Sequence, residues 1–247
     1  MSHISQTERN TVNILRALIL ICFFPALLSC QETVRIHGRV TDFEQNPIAG
    51  AQVRVMDPTF HPAGETVSDA LGQYELRVPR GQYMALLAIR DSEYRSSRLE
   101  YWAWDVPATN DLEINPRYHR MEIYAMNAFR PQGGYPSYMI YFRPMSLSMV
   151  ESGMKHDSTF LAKPVIDIAP PFTKGDLEVH INDEVVPILA MSRVRESGGQ
   201  SAMFGYLVQC ALPKGENAQA FDRIRIVASD RASGDKGEGL LFVRKLR

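Results

Sequence analysis

Between Val34 and Val78 the sequence leaves few choices of fold. It reads VRIHGRVTDFEQNPIAGAQVRVMD and, a few residues later, ETVSDALGQYELRV. Apolar residues alternate with polar ones at Val34, Ile36 and Val40, again at Val53 and Val55, and again at Tyr74, Leu76 and Val78. Period-two alternation over short runs is the mark of strands with one face buried and one wet. Proline and glycine fall between the runs, where the chain must turn. The stretch therefore predicts an antiparallel meander, with strands near 33–41, 51–57, 65–69 and 73–79.

The same residues carry a motif: Gly38, Val40 and Asp42, then Pro47, then Gly50, Ala51 and Val53, then Ser68, Asp69, Gly72 and Tyr74. In this spacing the chain resembles the carboxypeptidase regulatory-like family, which implies a small transthyretin-like β-sandwich and no particular activity, because that fold is attached to many different proteins. The family usually has glycine two residues before the proline, where this chain has Gln45. Asn46 tolerates a left-handed backbone, so the turn is expected to be shifted by one residue.

Further along, Tyr83 to Ile89 is apolar on both faces and predicts a central strand, entered through a tight Pro79-Arg80-Gly81 turn. Strands at Leu99–Val106 and Asp111–Ile114 would close a first unit near Pro116. Met121 to Pro144 is rich in aromatics, broken by Pro131, Gly133, Gly134 and Pro136, and reads as a strand, a loop and a second strand at an interdomain seam. Met145 to Lys155 is an irregular strand or a single helical turn. Strands are then expected at Pro164–Ile168, Leu177–Ile181, Val185–Met191, Phe204–Leu212, Ile224–Ala228 and Leu240–Val243, with an Asn182-Asp183 turn and loops at Glu196–Gln200 and Asp230–Gly239. The fold class is all-β, with two β-sandwich domains: the first transthyretin-like, the second immunoglobulin-like in its strand spacing. The expected divisions are a leader at 1–29, the first sandwich at 30–116, an aromatic interdomain segment at 117–144 and the second sandwich at 145–247.

The leader bears on location. Arg9 and Arg16 precede an apolar run from Ala17 to Leu28, too short for a comfortable bilayer span and suited to a signal-peptide core. Leu27-Leu28-Ser29-Cys30 resembles the bacterial lipobox, which implies lipidation of Cys30, a membrane partner reached through that anchor, and a place at the outer membrane, facing the periplasm or the cell surface. With Cys22 removed and Cys30 acylated, Cys210 would be the one remaining thiol, buried and inert, and no intramolecular disulfide could form. A net charge of −1 offers no surplus to neutralise phosphates, so nucleic acid is not an expected partner.

Candidate chemistry is sparse. The histidines are scattered singly and no metal site or cofactor is expected. His156-Asp157-Ser158 has the residue types of a hydrolase triad, but neighbours in sequence do not assemble that geometry. The Asp230–Glu238 loop has the carboxylates for calcium without the ligand spacing, and reads as a solvated hairpin. No catalytic residue is expected, and the chain reads as a non-enzymatic binding or scaffolding protein whose partner is another envelope protein or a glycan. The candidate ligand-binding residues are aromatic: Trp102 and Trp104, which period-two geometry sends to one strand face roughly 7 Å apart, and Tyr135, Tyr138 and Tyr141. An exposed tryptophan face would make a platform for sugar rings, whereas a buried one would be core.

Overall fold

The computed structural model describes residues 32–197, 201–215 and 218–245. Cys30 and the leader lie outside the described residues, as do three residues of the glycine-rich loop ending at Gln200. From Thr33 onward the chain is one compact unit, all β apart from one α-helix and two single 3-10 turns among the described residues.

The first half supplies β1 (Thr33–Arg39), β2 (Gln52–Met56), β3 (Pro62–Val67), β4 (Gln73–Pro79), β5 (Gly81–Ile89), β6 (Tyr101–Ala108) and β7 (Leu112–Glu113). The second supplies β8 (Met121–Phe129), β9 (Ser137–Ser146), α1 (Leu147–His156), β10 (Leu177–Ile181), β11 (Glu184–Val186), β12 (Ile188–Glu196), β13 (Met203–Ala211), β14 (Phe221–Ser229) and β15 (Lys236–Arg244). They form three sheets: β4-β1-β7, β12-β13-β9-β8, and an eight-stranded sheet in the order β11-β10-β14-β15-β6-β5-β2-β3. The long sheet runs through both halves. Its join is a parallel pairing in which Gly239, Leu240 and Leu241 meet Trp102, Ala103 and Trp104.

Alternation along the joined strands decides which face each half covers. Tyr101 and Ala103 of β6, with Leu240 and Phe242 of β15, enter the core shared with Val34, Ile36, Leu76 and Val78 of the three-stranded sheet. Leu241, on the opposite face of β15, enters a second core with Ile123, Ile140, Phe142 and Val208 of the four-stranded sheet. The two smaller sheets therefore pack on opposite faces of the long one, and the two sandwiches share a sheet. Close approach of β8 to β15 depends on Gly239, where an added Cβ would lie 2.9 Å from Ile123 and 2.7 Å from the Met126 sulfur.

Buried carboxylates pin the region between the halves. Glu238 accepts from Arg117 Nε at 3.0 Å and is met by Arg225 at 3.5 Å. Asp235, fully buried, accepts from Arg120 Nε at 3.1 Å, Ser146 Oγ at 2.7 Å and the Ser148 backbone N–H at 3.0 Å. The expected solvated hairpin at 230–238 is thus corrected: only Asp230–Asp235 is loop, and two of its expected surface acids are interior.

Other local expectations change for identifiable reasons. The strand expected at 65–69 begins at Pro62, and the one expected at 185–191 is two strands broken at Pro187, which has no N–H to give the ladder. Residues 164–168 make only an isolated bridge, Val165 to Ala202. Residues 145–155 are mostly helix, started by Ser146, whose hydroxyl accepts from the Met149 N–H. The segment expected between domains supplies the β8–β9 hairpin of the four-stranded sheet.

The family-like turns form where expected, with one correction. Gln45 itself takes the left-handed conformation (φ 66), so the turn is not shifted to Asn46. Asp42 holds it by accepting from the Glu44 and Asn46 N–H groups at 3.0 and 2.9 Å. Gly50 and Gly72 are also left-handed, at φ 73 and 76. At Gly72 a Cβ would lie 2.4 Å from the Val40 carbonyl oxygen, whereas at Gly50 it would meet nothing within 4 Å. Gly50→Ala should therefore cost the backbone term alone, about 1 kcal/mol, and Gly72→Ala about 2 kcal/mol or more, measured as shifts in denaturant midpoint. Equal shifts would mean that the Val40 contact does not matter.

Candidate binding surfaces

Strand β6 carries Trp102 and Trp104 on the face turned away from the first core. The rings stack, centroids 5.1 Å apart and planes 18° from parallel, closer than strand rise alone gives because both lean together. Tyr124 of β8 meets them edge-on at 5.3 and 5.1 Å, and Phe60, from the β2–β3 loop, does so at 6.2 and 6.4 Å. Met56, Ala85, Leu87 and Ile89 complete this small cluster. Trp102 is buried and Trp104 half-buried, while Phe60 is 42% exposed. The tryptophan pair is thus a satellite core closed by Phe60, with no open sugar-stacking face on Trp102.

Two acids lie beside it. The Trp102 indole N–H donates to Glu100 at 2.9 Å. Glu122, 3% exposed, makes no hydrogen bond or ion pair among the described residues. Burial drives both carboxyls above the usual carboxylate range, and for Glu122 the charge of Glu100 adds to it. Arg95 opposes this only partly, its guanidinium being stacked 5.0 Å above the Tyr94 ring. A stacked indole pair and an under-partnered acid pair were not expected together. The signal was two acids, Glu100 and Glu122, in otherwise apolar strand contexts.

The expected tyrosines do not converge. Tyr138 points into the second core and donates to Asp222 at 2.6 Å. Tyr141, three residues on, faces the other side of β9 and donates to Glu196 at 2.7 Å, which also accepts from Arg143 at 2.9 Å. Burial, then that bond, pushes the Tyr141 phenol up to about 12. Tyr135 lies in the hairpin loop, 67% exposed. The period of two that joins Trp102 to Trp104 is what separates Tyr138 from Tyr141.

The remaining candidates have structural surroundings. Cys210 is buried, its thiol pushed up to about 11 by desolvation. His156 Nδ1 lies 2.7 Å from the Ser152 carbonyl oxygen, while Asp157 accepts from Thr159 and pairs with Lys163. Those contacts hold the Asp157 carboxyl well below its ordinary range. No group of three metal-ligating side chains occurs among the described residues.

Among known proteins, the family model for the carboxypeptidase regulatory-like domain matches residues 35–115. No curated protein matches the chain. Solved structures with similarity include a variant of the major pilin subunit of Bacillus cereus, 10% identical over 86% of this chain and 69% of that one, TM-score 0.29. A DUF3823 family protein from Parabacteroides merdae is 11% identical over 86% and 98% of the two chains, TM-score 0.27. The shaft pilin SpaA of Lactobacillus rhamnosus GG, as a point mutant, is 9% identical over 87% and 100%, TM-score 0.27.

The acid pair has a pH signature. A carboxyl whose pKa is higher in the folded than in the unfolded chain holds more protons when folded. Stability from it is present in acid and lost as pH rises through the folded pKa. Glu122→Gln removes that loss, so its denaturant midpoint relative to wild type should climb between pH 4 and pH 8. A difference independent of pH would show that Glu122 is ordinarily ionised.

Proposed function

With a carboxypeptidase regulatory-like domain at residues 35–115, we propose that this chain is a non-catalytic binding or scaffolding lipoprotein of the bacterial cell envelope, held to the outer membrane by an acylated Cys30. The observation that carries the reading is the use made of buried charge. Asp222, Asp235 and Glu238 each tie together segments far apart in sequence: Asp222 takes the Tyr138 hydroxyl and the Asn182 amide, and the other two anchor Arg117 and Arg120 of the connection between the halves. Such links stiffen a frame. They leave these acids engaged and unavailable for proton transfer to a substrate.

Enclosure of Trp102 by Phe60 and Tyr124 weighs against a carbohydrate-binding accessory, because sugar rings need a flat aromatic face open to solvent. A hydrolase built on His156, Asp157 and Ser158 is weighed against by the separate contacts of the first two.

Metabolic labelling with a fatty acid should mark the wild-type protein and not Cys30→Ser, which should accumulate as unprocessed precursor. Equal label on both would remove the lipoprotein reading. Purified protein should hydrolyse no glycan, ester or peptide in a broad panel, and turnover that persists on repurification and is lost in His156→Ala would overturn the non-catalytic one. Crosslinking in intact envelopes then identifies what the frame holds.

A further inference from the structure

The strands place many chain ends at one end of the molecule. Thr33, where β1 sets out, pairs with Pro79, and Gly81, just beyond the turn, pairs with Ala108 at the end of β6. Because β15 runs parallel to β6, its own end at Arg244 points the same way. In the layer beyond, the end of β8 lies alongside: Ala128, Phe129 and Arg130 share an open groove of about 540 Å³ with Val243, Arg244 and Lys245.

This end is chemically distinct. Phe129 and Tyr135 are 57% and 67% exposed, among the most exposed large apolar side chains of the described residues. Arg130 and Arg244 are exposed and have no carboxylate partner among the described residues; Arg130 only approaches the Tyr138 ring, at 5.9 Å. Lys245 faces the groove and reaches the buried Asp222 at 3.4 Å. No acidic residue lines the groove. In a chain of net charge −1, most of whose described arginines are paired with carboxylates, exposed rings beside uncompensated guanidinium groups stand out.

We infer that this end of the protein rests on an anionic phospholipid surface, with Phe129 and Tyr135 at the headgroup level and Arg130 and Arg244 on lipid phosphates. Aromatic rings favour the interface between headgroups and acyl chains, and basic side chains add attraction to an anionic bilayer. The orientation rests on the lipoprotein reading: Cys30 precedes Thr33 by three residues, so an anchor there is tethered within about 10 Å of this end. One anchor fixes distance from the bilayer but not attitude. The ring and arginine contacts would fix attitude, turning the opposite end outward.

The fragment Thr33–Arg247 carries every strand of the three sheets and the cores between them, and has no acyl chain. It should co-float with vesicles containing phosphatidylglycerol and much less with phosphatidylcholine alone. Arg130→Gln and Arg244→Gln should each lower partition onto the anionic vesicles about fivefold, while Phe129→Ser with Tyr135→Ser should lower it on both. All four positions are exposed, so near-ultraviolet circular dichroism should stay that of wild type. Absence of binding to either vesicle, or binding unchanged in the double arginine variant, would overturn the inference. So would concentration-dependent self-association abolished by the same changes, which would give this face to a second copy of the chain. Fatty-acid labelling of Cys30 is read on the full chain without vesicles, so failure of the anchor and failure of the surface are told apart.

Discussion

Three residue pairs hold the architecture together. Where Gly239, Leu240 and Leu241 lie parallel to Trp102, Ala103 and Trp104, a four-stranded portion from each half becomes one eight-stranded sheet. A parallel register of this kind has no hairpin to enforce it. It is instead set from both faces: Leu240 and Phe242 are claimed by the first core, Leu241 by the second, and a slip by one residue would exchange them. The Glu238 and Asp235 links then fix the connection between the halves at the same point.

Buried charge divides into two kinds here. Asp222, Asp235 and Glu238 are each met by two or more donors, the condition under which an interior carboxylate is tolerable. Glu100 has one indole N–H, Glu122 has no hydrogen-bond donor among the described residues, and the guanidinium groups nearest them, of Arg95 and Arg143, are committed to Tyr94 and Glu196. The aromatic corner is therefore the least comfortable part of the interior, although its rings pack well. Asp105 and Ala125, each directly following one of its aromatic residues, also take left-handed backbone conformations (φ 54 and 51), so the local backbone is strained around the same rings.

The sequence was most legible where a local rule had no competitor. Alternation at Val34–Val78 located β1, β2 and β4, and the spacing of Gly50 and Gly72 located two left-handed turns. Period two also put Trp102 and Trp104 on one face. What alternation could not say was which face had company, because β8, which walls in the tryptophans, arrives from another sheet. The sharing of one sheet was hidden for a related reason: a parallel join leaves no turn in the sequence. Asp235 and Glu238 looked like surface acids since nothing nearby announces Arg117 and Arg120 as their partners. The helix at Leu147–His156 was underestimated because its apolar residues at helical spacing, Leu147, Val150 and Met154, span little more than two turns and are interrupted by Gly153.

The parallel join also orders events in time. Strand β6 is made early and has β5 on one side from the outset, but its other edge stays open until β15 emerges. An apolar strand edge left unpaired while more than half of a chain is still being made is a template for mispairing. Pairing across so long a loop is intrinsically slow. A chain built in this way is a natural client for holding factors while it folds, and its first half, though it resembles a free-standing domain, is completed only by β15, the last of the described strands.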